Sequence, residues 1–146
     1  MLTEFTKLGL TEQQAQMLAS AFVDHKKLAS GKFFIKEGKV CNEIGIVTKG
    51  KCRHFYNTKD GEVTRWIALT NEFVTSLSSF VSQQHAKENI QAMEATEIAI
   101  MPRANWQKLY AEHEYIRQFY TRIIEANYIG MEERVFNLIA KSAEER

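Results

Sequence analysis

Arg53-His54-Phe55-Tyr56-Asn57-Thr58, then Lys59-Asp60-Gly61-Glu62, then Val63-Thr64-Arg65-Trp66-Ile67-Ala68-Leu69, reads as two β-type runs joined by Asp60-Gly61. Asp-Gly between alternating runs is among the strongest short-range hairpin signals, so the two runs pair antiparallel. Upstream, Lys27-Leu28-Ala29, Phe33-Phe34-Ile35 and Ile44-Gly45-Ile46-Val47 repeat the theme, with Gly31, Gly38 and Gly50 as punctuation. Downstream, Ile90/Ala92 and Ile98/Ile100 alternate with the other face in runs over Asn89–Ala95 and Glu97–Met101. Between them Thr70–Glu88 is richer in Ser, Thr and Gln, with one helical turn expected at Ser76–Phe80. About eight short strands are expected between His25 and Pro102.

Helices flank this block. Thr11-Glu12-Gln13-Gln14 carries the hydroxyl and the i+3 amide of a capping box, and Ala15, Leu18 and Phe22 follow at helical spacing, which predicts a helix over 11–22. Pro102 is the only proline, and beyond it only Gly130 interrupts a helix-compatible sequence. Trp106, Leu109 and Tyr110 mark a short helix. Ile116, Tyr120, Ile123, Asn127, Met131, Val135 and Leu138 recur at steps of three and four along a helix of about 40 Å, whose apolar stripe needs cover. The order predicts an α+β single domain, an all-β sandwich or roll over about 25–102 with a short N-terminal helix and C-terminal helices over about 103–146.

At 146 residues and 45% hydrophobic the chain fits one core. No stretch approaches a membrane span, and Met1-Leu2-Thr3-Glu4 lacks the basic then apolar opening of a signal peptide, so a cytoplasmic protein with no membrane partner is expected. Nineteen Lys plus Arg against eighteen Asp plus Glu leaves +1, too little field to gather phosphate backbone. Residues 114–146 carry five basic and six acidic side chains, which is no basic recognition element. Cys41 and Cys52 stand in no CxxC or CxxH spacing and read as reduced thiols.

Catalysis or metal binding calls for clustered ligands, and His25, His54, His85 and His113 are single, with no HxH, HExxH or GxSxG. A metal-dependent jelly-roll enzyme would need two histidines one residue apart on a strand; His54 stands alone. The reading is non-enzymatic.

Several segments, taken in order, resemble a known family. They are Lys36-Glu37-Gly38, Cys41-Asn42-Glu43-Ile44, Val47-Thr48-Lys49-Gly50-Lys51-Cys52-Arg53, the Asp60-Gly61 hairpin with Thr64-Arg65-Trp66-Ile67, and Asn71-Glu72-Phe73 followed by Ser78-Ser79-Phe80. The set is similar to the effector domain of the Crp/Fnr superfamily of bacterial transcription regulators, from about Leu10 to Arg146. The resemblance implies a double-stranded β-helix (jelly roll) followed by a long dimerisation helix, an allosteric role, and a homodimer with Ile116, Tyr120, Ile123, Asn127, Met131, Val135 and Leu138 at its interface. DNA would be met only through a helix-turn-helix unit, which these 146 residues do not include; the chain is expected to be either an excised sensor domain or a stand-alone one.

In the family's cyclic-nucleotide-binding members a Gly-Glu dipeptide opens the phosphate cassette and an arginine closes it. Here Asn71-Glu72 keeps the carboxylate and loses the glycine, and the arginine's place falls on Ala86 or, with one gap, Lys87. Lysine offers a point charge where arginine offers a planar fork. The resemblance thus implies Glu72, Ser76, Lys87, Glu88, Asn89 and Tyr128 as ligand contacts. It implies no certain cofactor, and a cyclic nucleotide or another small anion as effector, with cyclic AMP bound weakly or not at all; the alternative is a true cyclic-nucleotide sensor acting alone or through another partner. Simpler readings stand beside these: Glu72 as a turn residue, Lys87-Glu88 as a loop tip, Thr75, Ser76, Ser78 and Ser79 as local caps, and Trp66 and Tyr128 as core or interface.

Overall fold

The computed structural model describes residues 1–144, so the last two residues of the expected helical segment lie outside the described ones. These form α1 (Leu2–Lys7), α2 (Glu12–Ser20), β1 (Asp24–Leu28), β2 (Phe33–Ile35), β3 (Glu43–Lys49), β4 (Cys52–Thr58), β5 (Gly61–Ala68), β6 (Phe73–Val74), α3 (Leu77–Ser82), β7 (Asn89–Ala92), β8 (Thr96–Pro102), α4 (Arg103–Glu112) and α5 (Glu114–Glu144). The strands make two antiparallel four-stranded sheets, ordered β1-β8-β3-β6 and β2-β7-β4-β5, packed face to face as the expected jelly roll.

The hairpin forms with its turn one place earlier than Asp60-Gly61. Thr58 pairs with Gly61, leaving Lys59-Asp60 as the loop. The Thr58 hydroxyl accepts from the Asp60 amide at 3.2 Å and donates to the Gly61 carbonyl at 2.7 Å, and Gly61 takes φ +121° where the strand resumes.

β8 is covered on both sides, which is why its run from Ile98 to Met101 is apolar throughout. Ile98 and Ile100 point into the roll with Val47, Val74 and Ile90, while Ala99 and Met101 point outward against Leu18, Ile116 and Phe119 of the helices. Gly45 is the tightest point between the sheets: a Cβ there would stand 2.6 Å from Ile98 Cγ2 and 2.7 Å from Val74 Cγ2.

The capping box of α2 is present in both directions, Gln14 N–H to Thr11 Oγ1 at 3.2 Å and Thr11 N–H to Gln14 Oε1 at 3.0 Å. α1 has no sequence signal because one residue does its packing. Phe5 is buried with its ring 6.0–6.3 Å from those of Phe22, Phe73 and Phe119, while Leu2 and Leu8 stay exposed. α5 is continuous for 31 residues, about 46 Å, through Gly130, whose surroundings are open. No helix among the described residues is long and apolar enough to cross a membrane.

Candidate functional site

The pairing of β4 with β5 slips once, next to the site. His54 lies opposite Trp66 and Phe55 opposite Thr64, so Arg65 has no partner and forms a bulge. A bulge re-aims the side chain it carries. Arg65 Nη2 donates to Glu88 Oε2 at 3.2 Å, just before β7 begins. His54, opposite Ile90 of β7, places its Nδ1 3.7 Å from the same oxygen, an ion-pair distance rather than a hydrogen bond.

His54 and Glu88 are nearly closed off, at 5% and 7% side-chain exposure. Burial pushes the Glu88 carboxyl up, but His54, the Arg65 charge and the Ser76 hydroxyl outweigh it and hold the group below the usual carboxylate range. Glu88 is therefore an anion that Arg65 and His54 share. Around it, both His54 nitrogens, Ser76 Oγ and Asn89 Nδ2 are buried without a hydrogen-bond partner among the described residues. His54 Nδ1 and the Ser76 hydroxyl still face Glu88, so His54 Nε2 and Asn89 Nδ2 are the two left with nothing to offset a cost of about 1–3 kcal/mol each.

His54 and Arg65 open onto a cavity of about 410 Å³ between the roll and α5, within the range of small-molecule sites. Ile44, Phe73, Met101 and Trp66 line it from the roll, and Phe119, Tyr120, Ile123, Asn127, Met131 and Arg134 from the helix. The Arg134 guanidinium lies 5.4 Å from the Trp66 ring centroid, tying helix to hairpin.

Of the residues named from the sequence, the structure brings together Ser76, Glu88 and Asn89. Ser76 is buried at the start of α3; Asn89 Oδ1 is held by the Glu37 amide at 2.9 Å. Glu72 lies apart, its Oε2 accepting from the Leu69 amide at 2.9 Å as a turn residue, and it does not line the cavity. Asn71, where the family has glycine, takes φ +72°, a conformation asparagine tolerates better than most residues, so the turn survives the replacement. Lys87 is exposed although Glu88 beside it is buried, and Tyr128 is 61% exposed; neither lines the cavity. Of the hydroxyl cluster, Thr75 donates to the Glu43 carbonyl at 2.9 Å and Ser79 accepts from the Cys41 amide at 2.9 Å, Ser78 is exposed, and Ser76 is the buried hydroxyl that faces Glu88.

The single apolar stripe of α5 divides into three. Ile116 is fully buried with Phe119 inside the chain's own core, which removes it from the expected interface, because the roll already covers it. Tyr120, Ile123, Asn127 and Met131 line the cavity, and Val135 and Leu138 are 53% and 69% exposed. His54, Arg65 and Arg134 were not legible as site residues. A histidine and an arginine on paired strands are a weak signal, and the bulge that joins them to Glu88 has no sequence mark.

The comparisons with known proteins agree with this fold. The family model for the cyclic nucleotide-binding domain matches residues 25–113. The catabolite activator protein of Thermus thermophilus superposes with a TM-score of 0.76 at 18% identity, over 89% of this chain and 61% of that one. The chain thus spans 61% of the length of that regulator. The N-terminal domain of a transcriptional regulator from Streptomyces coelicolor A3(2) gives 0.69 at 16% identity, over 86% of this chain and 89% of that one. A cyclic nucleotide-binding domain from Methylobacillus flagellatus gives 0.72 at 12% identity, over 87% and 73%. No curated protein sequence matches significantly. With the matched residues running from the second residue of β1 to the end of α4, the chain belongs to the cyclic nucleotide-binding domain family.

Proposed function

We propose that this chain is the effector-sensing and dimerisation domain of a Crp/Fnr-type transcription regulator, acting by allostery and not by catalysis. One observation carries the reading: the cavity is built half from the roll and half from α5, and α5 then continues into an exposed apolar stretch. A ligand bound there changes how the helix lies on the roll, and so changes the geometry of whatever the helix joins. Val135, Phe136, Leu138 and Ile139, 53–71% exposed, are the face that a second copy covers, in an isologous helix pair. Cytoplasmic location follows from this role, and DNA is met only by a helix-turn-helix unit outside these 146 residues.

Cyclic AMP and cyclic GMP bind poorly on this reading. Lys87, at the cassette's closing position, is exposed, and Arg65, the cation on the buried Glu88 beside it, is already matched by that carboxylate, which repels a phosphate. Losing a charge-assisted pair costs about 1.5–3 kcal/mol, roughly ten- to a hundredfold in affinity. Titration calorimetry is expected to show no binding of either nucleotide tighter than about 10 μM. Tighter binding that vanishes in Lys87→Ala would favour the second reading, a true cyclic-nucleotide sensor, which family membership supports.

A further inference from the structure

We propose that the effector of this cavity is an aromatic monocarboxylate, a flat apolar body bearing one carboxylate; the inference rests on the reading of the cavity as the effector site.

Charge selects the anion. His54, Arg65 and Arg134 line the cavity and no Asp or Glu does. Glu88 lies behind the wall and is matched by Arg65, while Arg134 is in no ion pair among the described residues, so the site keeps a surplus positive charge. His54 supplies the anchor. Its side chain is 5% exposed with both nitrogens unpaired, and Glu88 stands 3.7 Å from Nδ1. A carboxylate accepting from Nε2 gives that buried nitrogen the partner it lacks, with Glu88 on the Nδ1 side orienting the ring.

The body follows from the walls. Trp66, Phe73, Trp106, Phe119 and Tyr120 give the cavity five aromatic surfaces, to which an aromatic ring offers stacked or edge contacts that an aliphatic chain does not.

The test is calorimetry on the full chain with naphthalene-1-acetate and its uncharged twin, naphthalene-1-acetamide. The acid is expected to bind about ten- to a hundredfold tighter than the amide. Arg134→Gln, at an exposed position, and His54→Gln should each weaken the acid more than the amide and so narrow the gap between them. Equal binding of acid and amide would overturn the anion and leave the cavity as an effector site. Equal binding of decanoate and the aromatic acid would overturn the aromatic class. No binding of acid, amide, decanoate or cyclic AMP would overturn both this proposal and the effector reading beneath it.

Discussion

The Arg134 guanidinium of α5 stands 5.4 Å from the centroid of the Trp66 ring on β5, beside the cavity that both residues line. Beyond Ile116 and Phe119, which are buried in the core, the helix is held to the roll by partly covered contacts such as this one. Such a contact is worth about 0.5–1 kcal/mol when partly exposed, small enough for a ligand's binding energy to override. Arg134→Ala is therefore expected to lower stability by about that amount. Its clearer effect is local: amide hydrogen exchange should quicken in the second half of α5 and stay unchanged in β3 and β8. Uniform quickening across the roll would show that the contact supports the whole fold instead.

Glu88 gives a pH signature. Its carboxyl titrates lower in the fold than the ordinary value of about 4.3, so its contribution is complete above that value and disappears as pH falls through the lower folded one. Glu88→Gln should cost about 1–3 kcal/mol at pH 7, since it strips a hydrogen-bonded charge from Arg65 and His54. Denaturant melts of both proteins should converge only once pH has fallen through the lowered folded value. A gap that stays constant with pH would mean that only shape was lost.

Cys52 has the opposite sign. It is fully buried where β4 pairs with β5 and β7, opposite Ala68 and Ala92, and burial pushes its thiol up to about 11. Above the ordinary value of about 8.5 the unfolded thiol ionises while the folded one does not. Stability should then fall by about 1.4 kcal/mol per pH unit until pH approaches 11, and Cys52→Ala should remove that share of the slope. A thiol reagent at pH 8 should find neither buried cysteine, Cys41 or Cys52, until the protein is unfolded. Rapid labelling of the native chain would contradict this.

The roll was legible because its strands are short, alternate, and are separated by glycines that turns require, and α2 because Thr11 and Gln14 cap it locally. Features that depend on one contact or on register were not. α1 is fixed by Phe5 alone, and Arg65 reaches Glu88 only because the pairing slips by one residue at His54. Ser76, Glu88 and Asn89 were reached through family resemblance, yet the physical reason for their grouping, a buried carboxylate with unspent donors around it, exists only in three dimensions. The stripe on α5 was visible as periodicity. Its division into core, cavity wall and open face depends on where the roll ends beneath the helix.

Light scattering on the chain and on Val135→Glu tests the central claim most directly, since the exposed apolar half of α5 is the face this account gives to a second copy. The expected mass of the unmodified chain is twice 16.9 kDa at micromolar concentration, and Val135→Glu should shift it toward 16.9 kDa, because an unpaired charge buried in a helix pair costs several kcal/mol. A monomeric unmodified chain, or a Val135→Glu dimer of undiminished affinity, would contradict the account.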